Sequence, residues 1–217
     1  MSSPNVHWHA GHVARDDRAD HLGVRGATLW LTGLSGSGKS TLAAAVEHRL
    51  VTGGRNAYRL DGDNLRTGLN GDLGFDRSGR DENTRRVAEV ARLFADAGLV
   101  AVVALISPYA DSRAAARRLH QQAGIPFVEI YLSAPVTLCV ARDPKGLYAQ
   151  ASAGEINAFT GIGDPYEPPE AAELVVEAGT PLERAVDAAL AALARAEAGA
   201  EAGAGAGAGA QTASPHS

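Results

Sequence analysis

Apolar and polar positions along this chain change period repeatedly. Five short apolar runs, at 28–33, 56–61, 99–107, 126–133 and 173–177, have the length of buried strands. Between them lie stretches with helical spacing at 40–52, 80–97 and 111–122, and a fourth, 181–196, follows the last run. Gly53-Gly54, Gly98 and Gly124 fall where those helices should stop. In 80–97 the residues Val87, Val90, Ala91 and Phe94 form an apolar stripe, and Glu82, Arg85, Arg86 and Glu89 fall on a face expected to be solvated. Strand–helix alternation of this kind predicts an α/β fold of three layers, with a mostly parallel five-stranded sheet and helices on both faces. Ligands of such sheets bind at the carboxyl ends of the strands. That rule singles out Asp61 and Asp63, then Ser107, then Arg142 to Lys145 beyond the fourth strand and a short helix.

The chain has 217 residues, enough for one domain with trimmings. Residues 1–24 read as an N-terminal extension and 25–196 as the folded domain. Residues 197–217 hold a nearly alternating Gly/Ala stretch with no large apolar side chain, and so read as a disordered tail. From 142 to 169 the sequence has no good strand and only a short helix, and a long irregular stretch in a compact domain suggests a lid. No apolar run approaches the ~18 residues of a membrane span. Net charge is −5, which disfavours a chain whose main task is coating nucleic acid. The single cysteine, Cys139, excludes an internal disulfide and fits a reducing compartment, the cytoplasm; its expected place is a buried helix position. His7, His9 and His12 lack a regular ligand spacing, so they are not taken as a metal site.

Candidate chemistry begins with the scarcity of lysine. The chain holds two lysines against eighteen arginines. One of them, Lys39, lies in Gly33-Leu34-Ser35-Gly36-Ser37-Gly38-Lys39-Ser40-Thr41, which fits the phosphate-binding loop G-x-x-x-x-G-K-[ST] at every fixed position. A compact ammonium reaches past a glycine-rich turn where a planar guanidinium does not fit. The glycines let backbone N–H groups turn inward around an anion, and a helix from Lys39 onward would point its positive end at the phosphates. Lys39 would reach the β- and γ-phosphates of a nucleoside triphosphate, and the Ser40 hydroxyl would ligate Mg²⁺.

A second cluster follows the second strand, Leu60-Asp61-Gly62-Asp63-Asn64-Leu65-Arg66. Two aspartates there are placed for magnesium and for a substrate hydroxyl, although Asp61 alone equally reads as a helix N-cap. Seven arginines lie between 59 and 92 in an otherwise acidic chain. Arg80 and Asn83 are three apart on one helix face, and Arg66 with Arg80 suggests a second anion site, hence a small anionic acceptor and phosphoryl transfer.

These stretches together resemble the adenylylsulfate kinase (APS kinase) family over roughly residues 5–190. The phosphate loop, Leu60 to Arg66, Asp72-Leu73-Gly74-Phe75, Arg80-Asp81-Glu82-Asn83, Ile106-Ser107-Pro108, Asp143-Pro144-Lys145-Gly146-Leu147-Tyr148 and Phe159-Thr160-Gly161-Ile162 carry the likeness, with Asn5, Val6, Trp8 and His9 before the domain. The resemblance implies transfer of the ATP γ-phosphate to the 3′-hydroxyl of adenosine 5′-phosphosulfate, giving the 3′-phospho sulfate donor of sulfate assimilation. By the same resemblance Arg66, Arg80 and Asn83 would hold the phosphosulfate, Phe75 and Phe159 would sandwich the acceptor adenine, and Ile106 would belong to the acceptor site. Lys145 would bind the acceptor or the transferring phosphate, Arg142 would lie near the ATP base, Asp63 would orient or deprotonate the 3′-hydroxyl, and Asp61 would support magnesium. It also implies a homodimer and a functional association with ATP sulfurylase.

Ser107 matches a position described in bacterial members as a phosphoserine intermediate. A serine there can instead only hydrogen-bond the substrate, and direct in-line transfer needs no enzyme nucleophile. The chain departs from the family pattern at Gly163 (usually Asp, with Asp164 following at once), at Leu105 (commonly Phe) and at Thr84 (usually Ile). A gluconate or shikimate kinase would give Phe75 and Phe159 no base to stack on. A regulatory domain that binds nucleotide without turnover would be expected to lose the loop lysine or the Asp63 region, and both are intact.

Overall fold

A computed structural model describes residues 5, 7, 9, 11–143, 146–155 and 159–208. Its elements are α1 (Arg15–Leu22), β1 (Ala27–Thr32), α2 (Lys39–Thr52), β2 (Ala57–Asp61), α3 (Gly62–Arg66), α4 (Arg77–Asp96), β3 (Val100–Ala104), α5 (Ala110–Gln122), β4 (Phe127–Ser133), α6 (Val136–Arg142), α7 (Leu147–Ser152), β5 (Leu174–Glu177) and α8 (Leu182–Ala208). Every expected apolar run supplies a strand. The third is shorter than its pattern, because Ser107 takes a left-handed φ of 38° and Pro108 has no N–H to continue the ladder. α4 starts ahead of the expected Arg80, since the Asp76 carboxylate accepts from the Gly79 N–H at 2.8 Å and caps the helix there.

The five strands are all parallel in the order β2-β3-β1-β4-β5. Central β1 is buried along its whole length: Ala27, Leu29, Trp30 and Leu31 are apolar, and the buried Thr28 and Thr32 hydroxyls are hydrogen-bonded to the His120 ring and the Ile106 carbonyl. Leu29 and Leu31 face Leu42, Val46, Val186 and Leu193 of α2 and α8. Trp30 faces the opposite way, onto Val87 and Ala91 of α4, Ala116 of α5 and Phe127. The helix after β1 therefore covers one face and the helix after neighbouring β3 covers the other. That reversal opens a crevice at the carboxyl ends of β1 and β3.

Two differences from the sequence expectation lie at the ends. The N-terminal extension contains α1, which buries only Ala19 and is held by guanidinium groups: Arg15 donates to the Ala123 and Gly124 carbonyls at 2.8 and 2.7 Å, and Arg18 pairs with Asp96. A helix fastened by charge has no apolar stripe to announce it. At the other end α8 runs past Ala196 to Ala208, where a disordered tail was expected. The packed part supplies the helix nucleus and Arg55 pairs with Glu197 at 2.6 Å; beyond it the alanines favour continuing the helix while the glycines between them oppose it. The remainder of the tail, 209–217, is outside the described residues.

Candidate active site

The loop after β1 turns tightly before α2. Gly33 has φ 147°, and a β-carbon there would lie 2.8 Å from the Leu132 carbonyl; at Gly36 (φ 75°) it would lie 3.1 Å from the Cys139 carbonyl. Only glycine fits both places without displacing backbone. Lys39 opens α2 with its side chain buried, and its Nζ donates to the Gly33 and Leu34 carbonyls at 2.9 and 2.7 Å. The ammonium is thus held inside the curl of the loop, next to the N–H groups at the start of α2.

A cleft of about 1050 Å³ opens over this loop. Its wall includes Ser35, Gly36, Gly38, Lys39, Ser40 and Thr41 from the loop and α2, and Asp61, Asp63 and Arg66 from the end of β2 and α3. Phe75, Arg80, Asn83, Ile106, Ser107, Arg142 and Phe159 complete the set of expected residues on it. Gly33 and Leu34 stand behind the wall, Leu34 packing with Cys139, Tyr148 and Phe159. Ser37 lines a smaller cavity of about 260 Å³ with Gly38, Thr41, Arg142, Gly179 and Thr180. Lys145 lies outside the described residues.

Asp61 is both a cap and a cleft residue: one carboxylate oxygen accepts from the Asp63 N–H at 3.1 Å, and the other pairs with Arg59 at 3.3 Å. Arg66 donates to the Leu73 carbonyl at 2.9 Å and lies 4.1 Å over the Phe75 ring; Arg80 Nε donates to the Phe75 carbonyl at 2.7 Å. Two guanidinium groups thereby brace the loop that carries Phe75. Burial pulls the Arg66 pKa below its ordinary value, and the nearby Arg80 charge adds to this against Asp63. Burial also lowers Arg80, opposed by Asp164 and Tyr109. Both remain cationic, so an anion between them would relieve their crowding.

Ser107 is 4% exposed. Its hydroxyl accepts from the Trp30 indole N–H at 3.1 Å and donates to Thr32 Oγ1 at 3.0 Å; Thr32 in turn donates to the Ile106 carbonyl at 2.7 Å and lies 2.9 Å from the Tyr166 hydroxyl. Arg113 Nη1 donates to the Ser107 carbonyl at 2.8 Å, Nη2 to the Glu167 carbonyl at 2.7 Å, and Nε to Glu129 at 2.8 Å. The strained Ser107 backbone is thus held from several sides.

The segment expected to act as a lid carries α7. Asp143 accepts from the Tyr148 and Ala149 N–H groups, and the Tyr148 hydroxyl donates to the Ser35 carbonyl at 3.1 Å. Phe159 meets Tyr148 edge-on at 4.9 Å. Asp164 accepts from the Tyr109 hydroxyl at 2.8 Å and lies 3.5 Å from Arg80; burial and this carboxylate push Tyr109 up to about 12.

Several residues around the site carried no sequence signal of their own. Trp30, Thr32, Tyr166 and Arg113 act through contacts between distant segments. Gly179 and Thr180 line the smaller cavity, and Asn70 bonds Asn83 from below the cleft floor at 3.0 Å. Among the described residues no helix is long and apolar enough to cross a membrane.

The family model of adenylylsulphate kinase matches residues 25–177. An adenylyl-sulfate kinase of Penicillium chrysogenum is 52% identical over 182 residues, covering 81% of this chain and 86% of that protein. One from Aeromonas hydrophila is 50% identical over 190 residues, covering 87% and 95%. The structure of the Mycobacterium tuberculosis APS kinase CysC in complex with AMPPNP and APS superposes with a TM-score of 0.77 at 49% identity, covering 78% of this chain and 98% of that one. With the phosphate loop, the paired aspartates and the two arginines on one cleft, the chain belongs to the adenylylsulphate kinase family.

Proposed function

We propose that this chain transfers the γ-phosphoryl group of ATP to the 3′-hydroxyl of adenosine 5′-phosphosulfate (APS), forming 3′-phosphoadenosine 5′-phosphosulfate and ADP. The observation that carries this reading is one cleft lined by two separate groups rich in hydrogen-bond donors, the Lys39 loop and the Arg66–Arg80–Asn83 group. Loop N–H groups and Lys39 would hold the triphosphate, with the base directed to the adjoining cavity beside Arg142 and Thr180. Arg66, Arg80 and Asn83 would clamp the phosphosulfate. Phe75, one ring face covered by Arg66, and Phe159, braced by Tyr148, would bracket the acceptor adenine. Asp63 would orient the 3′-hydroxyl and take its proton as the O–P bond forms.

For Mg²⁺ the donors fit. Such ions take one or two protein oxygens and complete their shell with phosphate and water, and Ser40 and Asp61 both face the cleft. Bound there, Mg²⁺ would neutralise charge developing on the bridging phosphate oxygens. The Ser107 hydroxyl, engaged with Trp30 and Thr32, supports direct in-line transfer with no phosphoserine. Segment 142–169, tied to the loop through Tyr148 and Ser35, would exclude water so that the acceptor alone receives the phosphate.

A homodimer belongs to the same reading, supported by exposed Tyr58 of edge strand β2, stacked on Phe94 of α4; sedimentation as a monomer at micromolar concentration would exclude it. A cytoplasmic location is supported by the single buried Cys139, and association with ATP sulfurylase by the family resemblance alone; fractionation and co-purification test each. The activity is tested by ADP release from ATP-Mg with and without APS. Rates that APS does not raise above acceptor-free hydrolysis overturn the assignment.

A further inference from the structure

Asn70 sits in the turn between α3 and α4 and is fully buried. Its backbone N–H donates to the Leu65 carbonyl at 2.9 Å, and its own carbonyl accepts from the Leu73 N–H at 3.2 Å. The turn is also pinned from α4, where Arg86 donates to the Leu69 carbonyl at 3.1 Å and grips Asp72 at 2.7 and 2.9 Å. From this fixed position the Asn70 amide nitrogen donates to Asn83 Oδ1 at 3.0 Å. Asn70 Oδ1 has no hydrogen-bond partner among the described residues. A buried amide with an unsatisfied carbonyl costs stability, which an apolar residue of the same shape would avoid.

The consequence lies at Asn83, on the cleft wall beside Arg80. An asparagine amide has an acceptor end and a donor end. With Oδ1 held from below by Asn70, the Asn83 NH₂ group is the end left for the cleft, where it adds a donor to those of Arg66 and Arg80. The reverse orientation would bury the Asn70 NH₂ without this acceptor, and orphaned buried N–H groups are the rarer defect. It would also turn the Asn83 carbonyl lone pairs toward the negative charge of the ligand.

We propose that Asn70 is a positioning residue that sets the amide orientation of Asn83 and so tunes the site for an anionic acceptor. The inference rests on the reading of this cleft as the phosphosulfate site. It is tested by steady-state kinetics of the full chain carrying Asn70→Leu, Asn83→Ala and both. Asn70→Leu is expected to raise KM for APS about tenfold, equivalent to ~1.4 kcal/mol, with KM for ATP and kcat within about twofold of wild type. In the Asn83→Ala background Asn70→Leu should change KM for APS by less than about twofold, because Asn70 acts through Asn83. Equal effects on both KM values, an unchanged KM for APS, or fully additive losses in the double variant would each overturn the proposal. Asn70→Ala replaces Asn70→Leu in the same comparison should the leucine variant fail to fold. Wild-type turnover with APS tests the underlying activity separately, so the two failures are distinguishable.

Discussion

Lys39→Arg isolates geometry from charge, since both side chains are cationic. Lys39 is 8% exposed, and its Nζ sits 2.9 and 2.7 Å from two carbonyls of a loop that has no slack. Gly33 on that loop is already so close to β4 that a single added β-carbon would lie 2.8 Å from the Leu132 carbonyl. A guanidinium is longer and must lie flat, so it can enter only by moving loop backbone, or else must leave the loop and lose aim at the transferring phosphate. Loss of one aligned donor at a developing charge costs about 10²–10³ in rate, or ~2.7–4 kcal/mol. We expect kcat/KM for ATP to fall by that factor in Lys39→Arg, and at least as far in Lys39→Met. The assay is the initial rate of ADP release at saturating APS, with circular dichroism to establish folding. A Lys39→Arg enzyme within tenfold of wild type, beside an inactive Lys39→Met, would refute the geometric argument and leave charge alone as the requirement.

Ser107→Ala should retain turnover within about tenfold of wild type, because its hydroxyl serves Trp30 and Thr32; complete loss, with phosphate trapped on the wild-type serine, would restore the covalent route. Arg113→Met leaves Glu129, among the described residues, with Arg117 at 3.3 Å as its remaining ion pair, and breaking a buried pair at ~3–5 kcal/mol implies a Tm roughly 6–20 °C lower by calorimetry; a shift under about 2 °C would contradict the buried-network reading. His120 is fully buried between Thr28 and the Ala116 carbonyl, and burial lowers its pKa. The unfolded chain therefore takes up this proton first, so the stability contributed by neutral His120 is present above about pH 6.5 and is lost as pH falls through its lower folded value. Between pH 7.5 and 5 the Tm of His120→Gln should fall less steeply than that of wild type; equal slopes would exclude the effect.

Legibility from sequence followed the range of the forces involved. The strands were readable because each is a short, largely apolar run bounded by turn residues, and β1 shows the limiting case, buried on both faces. The phosphate loop was readable because its glycines answer a local backbone requirement. The spacing of Arg80 and Asn83 put them on one face of α4, and both line the cleft. By contrast α1 has no apolar stripe, since Arg15 and Arg18 fasten it to distant carbonyl and carboxylate groups. The end of β3 moved because a left-handed Ser107 is invisible in an apolar pattern.

Sequence alone determined the layered α/β architecture, the phosphate loop with its lysine, the acidic and basic residues at the strand ends and the family resemblance, all of which rest on periodicity or on fixed local spacing. Tertiary structure alone decided what those residues lean on. Asn70 under Asn83, Trp30 and Thr32 around Ser107, Asp164 beside Arg80, and Tyr148 against the phosphate loop join segments far apart in the chain or on different elements. Hydrogen-bond direction and burial depend on which surfaces the fold brings within about 3 Å, and no pattern along one segment encodes that.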